Sequence, residues 1–176
     1  MNIEAIDEKI SEQISFLKNE IPNLKFETYF EFKILDAQKS FIKEELNFQG
    51  IYLIEINNNL LPFEKWIKKF KINWESKTFH NRPRLRKKSI DNLKIKDSWI
   101  PLYIGKSKRI GDRVFEHLFL ENKKSTYALK LSSKEFLKNE VIRIKTINID
   151  VKNYDQIVPY IESELRNEIN PIIGRQ

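Results

Sequence analysis

The chain contains no cysteine among its 176 residues. Neither a disulfide framework nor a thiolate-held zinc is therefore available to it. No apolar run approaches the ~18 residues that a membrane-spanning helix needs. The stretch Met1 to Ile10 is acidic and polar, unlike a signal peptide, so an intracellular, cytoplasmic protein without a membrane partner is expected. Repeats and low-complexity linkers are also missing, which favours one elaborated domain over residues 1–176.

What is present is a globular composition, 40% hydrophobic and 12% aromatic, with a formal net charge of +7. The charge is localised. Between Asn57 and Ser98 twelve Lys or Arg stand against four Asp or Glu, a net of +8, so the remainder of the chain sums to −1. A cationic segment of this kind suits a phosphate backbone, although a charge run alone equally describes a solvated loop.

Hydrophobic periodicity divides the chain. Ile3, Ile6, Ile10, Ile14 and Leu17 recur at helical spacing, predicting an amphipathic helix over 3–20 that Pro22 ends. Leu24, Phe26, Phe30, Phe32 and Ile34 alternate with charged residues, predicting a half-buried strand over 24–34, and helical spacing returns over 36–46. Together these form a helix-strand-helix extension over residues 1–47. Further strands are predicted over Gly50–Ile56, Trp99–Ile104 and Val141–Ile149. Helices are predicted around Phe63 to Phe70, over about 108–120 and over Tyr154–Glu168. The expected fold class is α/β, an α+β sandwich with a small central mixed sheet flanked by helices.

Residues 57–98 read as a basic insert. Arg82, Arg84, Arg86, Lys87 and Lys88 are flanked by Trp74, Phe79 and Trp99, a mixture of cations and aromatics common on nucleic-acid surfaces. Pro83 opposes helix, so an arm or extended loop is expected there, with His80 as a contact or loop residue.

Two tripeptides, Gly50-Ile51-Tyr52 and Tyr103-Ile104-Gly105, carry more information in combination than apart. Any one tripeptide arises by chance in roughly 2% of chains this long. Here Arg113 follows Tyr103 by ten residues and His117 by fourteen, both on one face of the predicted helix. Glu162 precedes Pro171 by nine residues and projects a carboxylate from the final helix. In this order and spacing, residues 48–56 and 99–174 resemble the GIY-YIG nuclease superfamily. About fifty residues separate the two tyrosines, where family members usually have a short hairpin. Three residues after Pro171, where the family commonly has asparagine, stands Gly174; Asn170 and Gln176 are the nearby amides.

The residues suit the chemistry that the resemblance implies. Glu162 could hold a hard divalent cation acting as Lewis acid, and the family implies Mg²⁺ or Mn²⁺. Arg113 suits a bidentate clamp on phosphate. Tyr52 is the family's usual general base, with Lys106 and Arg113 favouring its phenolate and His117 relaying its proton or orienting it. Tyr103 belongs to the same set. The expected activity is metal-dependent endonucleolytic cleavage of DNA, most naturally double-stranded, in a restriction or defence role. Repair, recombination or mobile-element processing is the alternative nuclease setting, and an inactive nucleic-acid-binding module is the alternative from another class. A homodimer through the helix at 3–20 would bring two sites together.

Overall fold

A computed structural model describes residues 2–57, 61–76, 82–93 and 98–174. Phe79, His80 and Gln176 lie outside the described residues. Six helices are described: α1 (Ile3–Glu20), α2 (Ala37–Ser40), α3 (Phe63–Trp74), α4 (Lys87–Asp91), α5 (Ile110–Phe119) and α6 (Tyr154–Ile169). Four strands, β1 (Glu27–Lys33), β2 (Gly50–Asn57), β3 (Trp99–Ser107) and β4 (Val141–Asn148), form one sheet in the order β1-β4-β2-β3. The architecture is thus mixed α and β, and none of the described helices is long and apolar enough to cross a membrane.

The sheet is antiparallel at all its pairings, not mixed. β3 and β4 do run parallel to one another, as a strand-helix-strand succession suggests, but β2 lies between them and opposes both. β2 is consequently buried on both faces. Tyr52, Ile54 and Ile56 belong to one apolar cluster with Trp66, Phe70, Val114 and Leu118, while Ile51 and Leu53 belong to another with Val158, Ile161 and Leu165 of α6. Each fully buried aliphatic side chain contributes on the order of 1.5–3 kcal/mol, which makes β2 the anchor of both layers.

The helix expected over 36–46 is broken. α2 ends at Ser40, Phe41 and Ile42 take extended backbone angles, and a short 3₁₀ turn follows at Lys43–Leu46. Extension lets Phe41 insert between Phe30 and Phe119, at ring distances of 5.2 and 6.1 Å. The turn then supports the start of α5, where Gly111 lies against the Lys43 backbone.

The insert is less of an arm than its composition suggests. Trp74 donates its indole N–H to the Pro83 carbonyl at 3.0 Å. Ile172 and Ile173 donate to the carbonyls of Pro101 and Leu102 along the β3 edge. Arg86 donates its backbone N–H to Ile172, Leu85 pairs with Ile173, and Gly174 donates to the Arg84 carbonyl. The C-terminal segment therefore covers the first half of the β3 edge, and residues 84–86 are tied to that segment. Lys87 and Lys88, expected in a loop, open the short helix α4, whose Ser89 and Ile90 are buried.

Candidate active site

Among the described residues no strand pairs with the outer edge of β3, and the site forms beside its second half. β2 and β3 pair with Tyr52 opposite Gly105 and Ile54 opposite Tyr103. A register shift between Ile54 and Glu55 changes the alternation of β3, so Tyr103 shares a face with Tyr52 while Ile104 turns to the α6 layer. The two tyrosine rings lie 6.2 Å apart at 29°. Gly105 permits this arrangement: a Cβ on it would meet Tyr52 Cζ at 2.7 Å, with Oη closer still. The glycine of the second tripeptide thus clears a path for the tyrosine of the first.

Arg113 and His117 come from the face of α5 that packs over these rings. His117 is fully buried, and its ring lies 4.8 Å from Tyr103 and 5.6 Å from Tyr52. Nδ1 accepts the Leu129 backbone N–H at 3.0 Å, and Nε2 lies 2.9 Å from Tyr52 Oη. Burial, assisted by Arg113, pushes the His117 pKa well below its ordinary value, so the ring is neutral. With Nδ1 occupied as acceptor, the ring proton sits on Nε2 and is donated to Tyr52 Oη. His117 has no lone pair left for the proton of Tyr52. In this arrangement the ring cannot take up the proton of Tyr52, which leaves orientation of the hydroxyl as the role open to it.

Tyr52 is held as a phenol. Burial first, then neighbouring Tyr103, raises its pKa well above the ordinary phenol value, and Arg113 opposes them. Burial alone would lower the Arg113 pKa, but Tyr52 and Glu116 outweigh it and the net shift is upward. Arg113 is fixed by an ion pair to Glu116 and by donation from Nη2 to the Tyr127 carbonyl at 3.2 Å.

A cavity of about 440 Å³ collects Tyr52, Tyr103, Lys106, Arg113 and Glu162, together with Gly105, Arg166 and Gly174. Five of the six expected catalytic residues thus line one concavity, and His117 stands behind Tyr52. Glu164 and Glu168, the competing carboxylates on α6, are not part of the lining. Lys106 lines the cavity from the strand directly after Gly105.

Glu162 is nearly buried, at 9% exposure, and its Oε1 is paired with Arg166 one turn later. Among the described residues no group of three or more His, Asp or Glu is arranged to hold a metal. One carboxylate in a cavity that Lys106 and Arg113 also line is compatible with Mg²⁺, which keeps several waters and needs few protein ligands. Arg166 was not anticipated, although its spacing of four from Glu162 was readable. The Tyr127 carbonyl and the Leu129 amide, which fix Arg113 and His117, carry no signal in their side-chain identities.

Arg82 and Arg84 line a second cavity of about 570 Å³ with Pro83, Tyr103, Arg113, Tyr127 and Gly174. Arg86 adjoins Gly174 and donates to the Pro171 carbonyl at 3.2 Å. Burial and Arg166 lower its pKa. Lys87 and Lys88 are exposed and line neither cavity. Asn170 does not replace the missing asparagine: it takes the left-handed conformation at the end of α6 and donates to the Ser89 carbonyl.

Set against known proteins, the chain matches no family model, no curated protein and no solved structure. The functional reading therefore rests on the geometry.

Proposed function

We propose that this protein is a divalent-metal-dependent DNA endonuclease of the GIY-YIG type, acting in restriction or defence. The observation that carries the reading is the convergence of Tyr52, Tyr103, Lys106, Arg113 and Glu162 on one cavity, from two strands and two helices. A packing role for the two tyrosines explains their burial. It leaves unexplained why three cations, Lys106, Arg113 and Arg166, and a nearly buried carboxylate face the same space.

A Mg²⁺ or Mn²⁺ ion on Glu162 would act as Lewis acid toward the scissile phosphate and stabilise charge on the leaving oxygen. Arg113, already fixed by Glu116 and Tyr127, would grip the non-bridging oxygens with its planar fork. Lys106 would add positive charge at the cavity mouth. His117 Nε2–H holds Tyr52 Oη in place and would stabilise its phenolate, as would Arg113. Tyr52 would then accept the proton of the attacking water as the phosphorus–oxygen bond breaks. Because burial keeps Tyr52 protonated, cleavage should accelerate as pH rises through neutrality.

The inactive binding module retains one supporting observation: the position that carries asparagine in the family is Gly174. Cleavage of a labelled duplex by the parent, Tyr52→Phe and Glu162→Gln proteins separates the two readings. Equal products from all three would sink the assignment. The homodimer is supported by α1, which buries none of its 18 residues and leaves Ile3, Ile6, Ile10 and Ile14 exposed. A helix in water is stabilised chiefly by packing an apolar face, and a second copy would cover this one.

A further inference from the structure

The catalytic cavity does not end at Arg113. The second cavity shares Tyr103, Arg113 and Gly174 with it and extends toward Arg82, Arg84 and Tyr127. Its volume falls within the ~300–1,000 Å³ of ordinary small-ligand sites. Its walls combine two features that a single scissile phosphate does not require. Arg82 and Arg84 supply positive charge beyond Arg113. Tyr127, 62% exposed, offers an aromatic face on which a base can stack.

Both features are held in place. The Pro83 carbonyl is fixed by Trp74, and the Arg84 carbonyl by the Gly174 amide. The Tyr127 backbone is joined to Arg113 itself through its carbonyl. Arg113 therefore links the two cavities: it lines both, and its guanidinium holds the segment that carries Tyr127.

We propose that this second cavity is a nucleotide subsite, which receives the unit adjoining the scissile phosphate in an unstacked conformation. The base stacks on Tyr127 and the phosphate lies against Arg82 and Arg84. This deepens the nuclease reading and rests on it for the identity of the neighbouring phosphate. A base paired inside a duplex cannot present its flat face to a concave wall, so the nucleotide must leave the stack. The unstacking cost is smallest at mismatched, damaged or single-stranded positions. Such sites are the substrate class that this geometry favours.

The test measures binding in EDTA, without cleavage, by fluorescence anisotropy. The probes are a labelled thymidine octamer and an octamer of the same backbone whose units are all abasic. Stacking of one base is worth ~1–3 kcal/mol, or roughly a five- to 150-fold change in affinity. The parent should prefer the thymidine octamer by a factor in that range. Tyr127→Ala should abolish the preference, and Tyr127→Phe, which keeps the ring, should retain it. Arg84→Gln should weaken both octamers alike and lower the log–log salt slope by about 0.7. The proposal is overturned if the parent binds neither octamer, does not distinguish them, or keeps its preference after Tyr127→Ala. A protein that cleaves nothing but shows the Tyr127-dependent preference would leave the subsite standing and remove only the nuclease.

Discussion

Gly105→Ala probes the packing on which the site depends. The added methyl would lie 2.7 Å from Tyr52 Cζ and 3.0 Å from Tyr103 Cε1. The Tyr52 ring cannot retreat easily, since it is 1% exposed and bonded to His117. Overpacking of this kind costs ~1–3 kcal/mol, and in a domain of this size each kcal/mol lowers Tm by about 2–4 °C. A loss of roughly 2–12 °C is expected by thermal denaturation. The larger effect should be on cleavage. With Tyr52 as the proposed general base, displacing the phenol would remove base catalysis, typically worth ~10²–10⁴ in rate, while DNA affinity should change little. A Tyr52→Phe background removes the oxygen that meets the methyl, so Gly105→Ala should cost less stability there than in the parent. Unchanged Tm and activity for the single variant would refute the close approach of Gly105 to Tyr52. Equal costs in both backgrounds would show that the phenol oxygen is not what the methyl meets.

Three other perturbations address the surrounding structure. Replacing Arg82 and Arg84 by glutamine should lower the log–log salt slope of duplex binding by about 0.9 for each phosphate no longer neutralised, whereas the same change at Lys87 and Lys88 should do less; equal effects would contradict the placement of Arg82 and Arg84 beside the site. His117 stays neutral when folded, while an unfolded imidazole takes up a proton near pH ~6.5. The unfolded state therefore binds more protons below that pH, and stability should fall as the solution is acidified, by at most ~1.4 kcal/mol per pH unit; urea titrations in which His117→Asn shows the same slope would refute this. Ile10→Glu should reduce the mass seen by light scattering if α1 joins two copies, and an unchanged mass would remove α1 as the interface.

The strands and long helices were legible because their apolar positions repeat with the period of the element, as at Ile157, Ile161 and Leu165 on α6. Residues 36–46 misled because Phe41 sits at helical spacing from Ala37, while its ring is needed between Phe30 and Phe119. Tertiary packing decided that segment against its local pattern. The mixed sheet failed for a related reason: the order of elements does not say that β2 separates β3 from β4. At the site, the side chains named from the two tripeptides and α5 do converge. What stayed hidden is the backbone that orients them, the Leu129 amide on His117 and the Tyr127 carbonyl on Arg113. Any residue type provides those groups, so only their position in space reveals them. The strap at 82–86 was readable as basic, but its tether to residues 172–174 joins segments about ninety residues apart.

The most direct test of the central claim is cleavage of supercoiled plasmid by the purified protein, with Mg²⁺ or Mn²⁺ and with EDTA. Nicked or linear product should form only with the cation. Glu162→Gln should abolish it while retaining DNA binding, because the affinity proposed for the basic surface would be untouched and loss of a carboxylate reduces repulsion with phosphate. Intact plasmid in the presence of either cation, or undiminished cleavage by Glu162→Gln, would contradict the account.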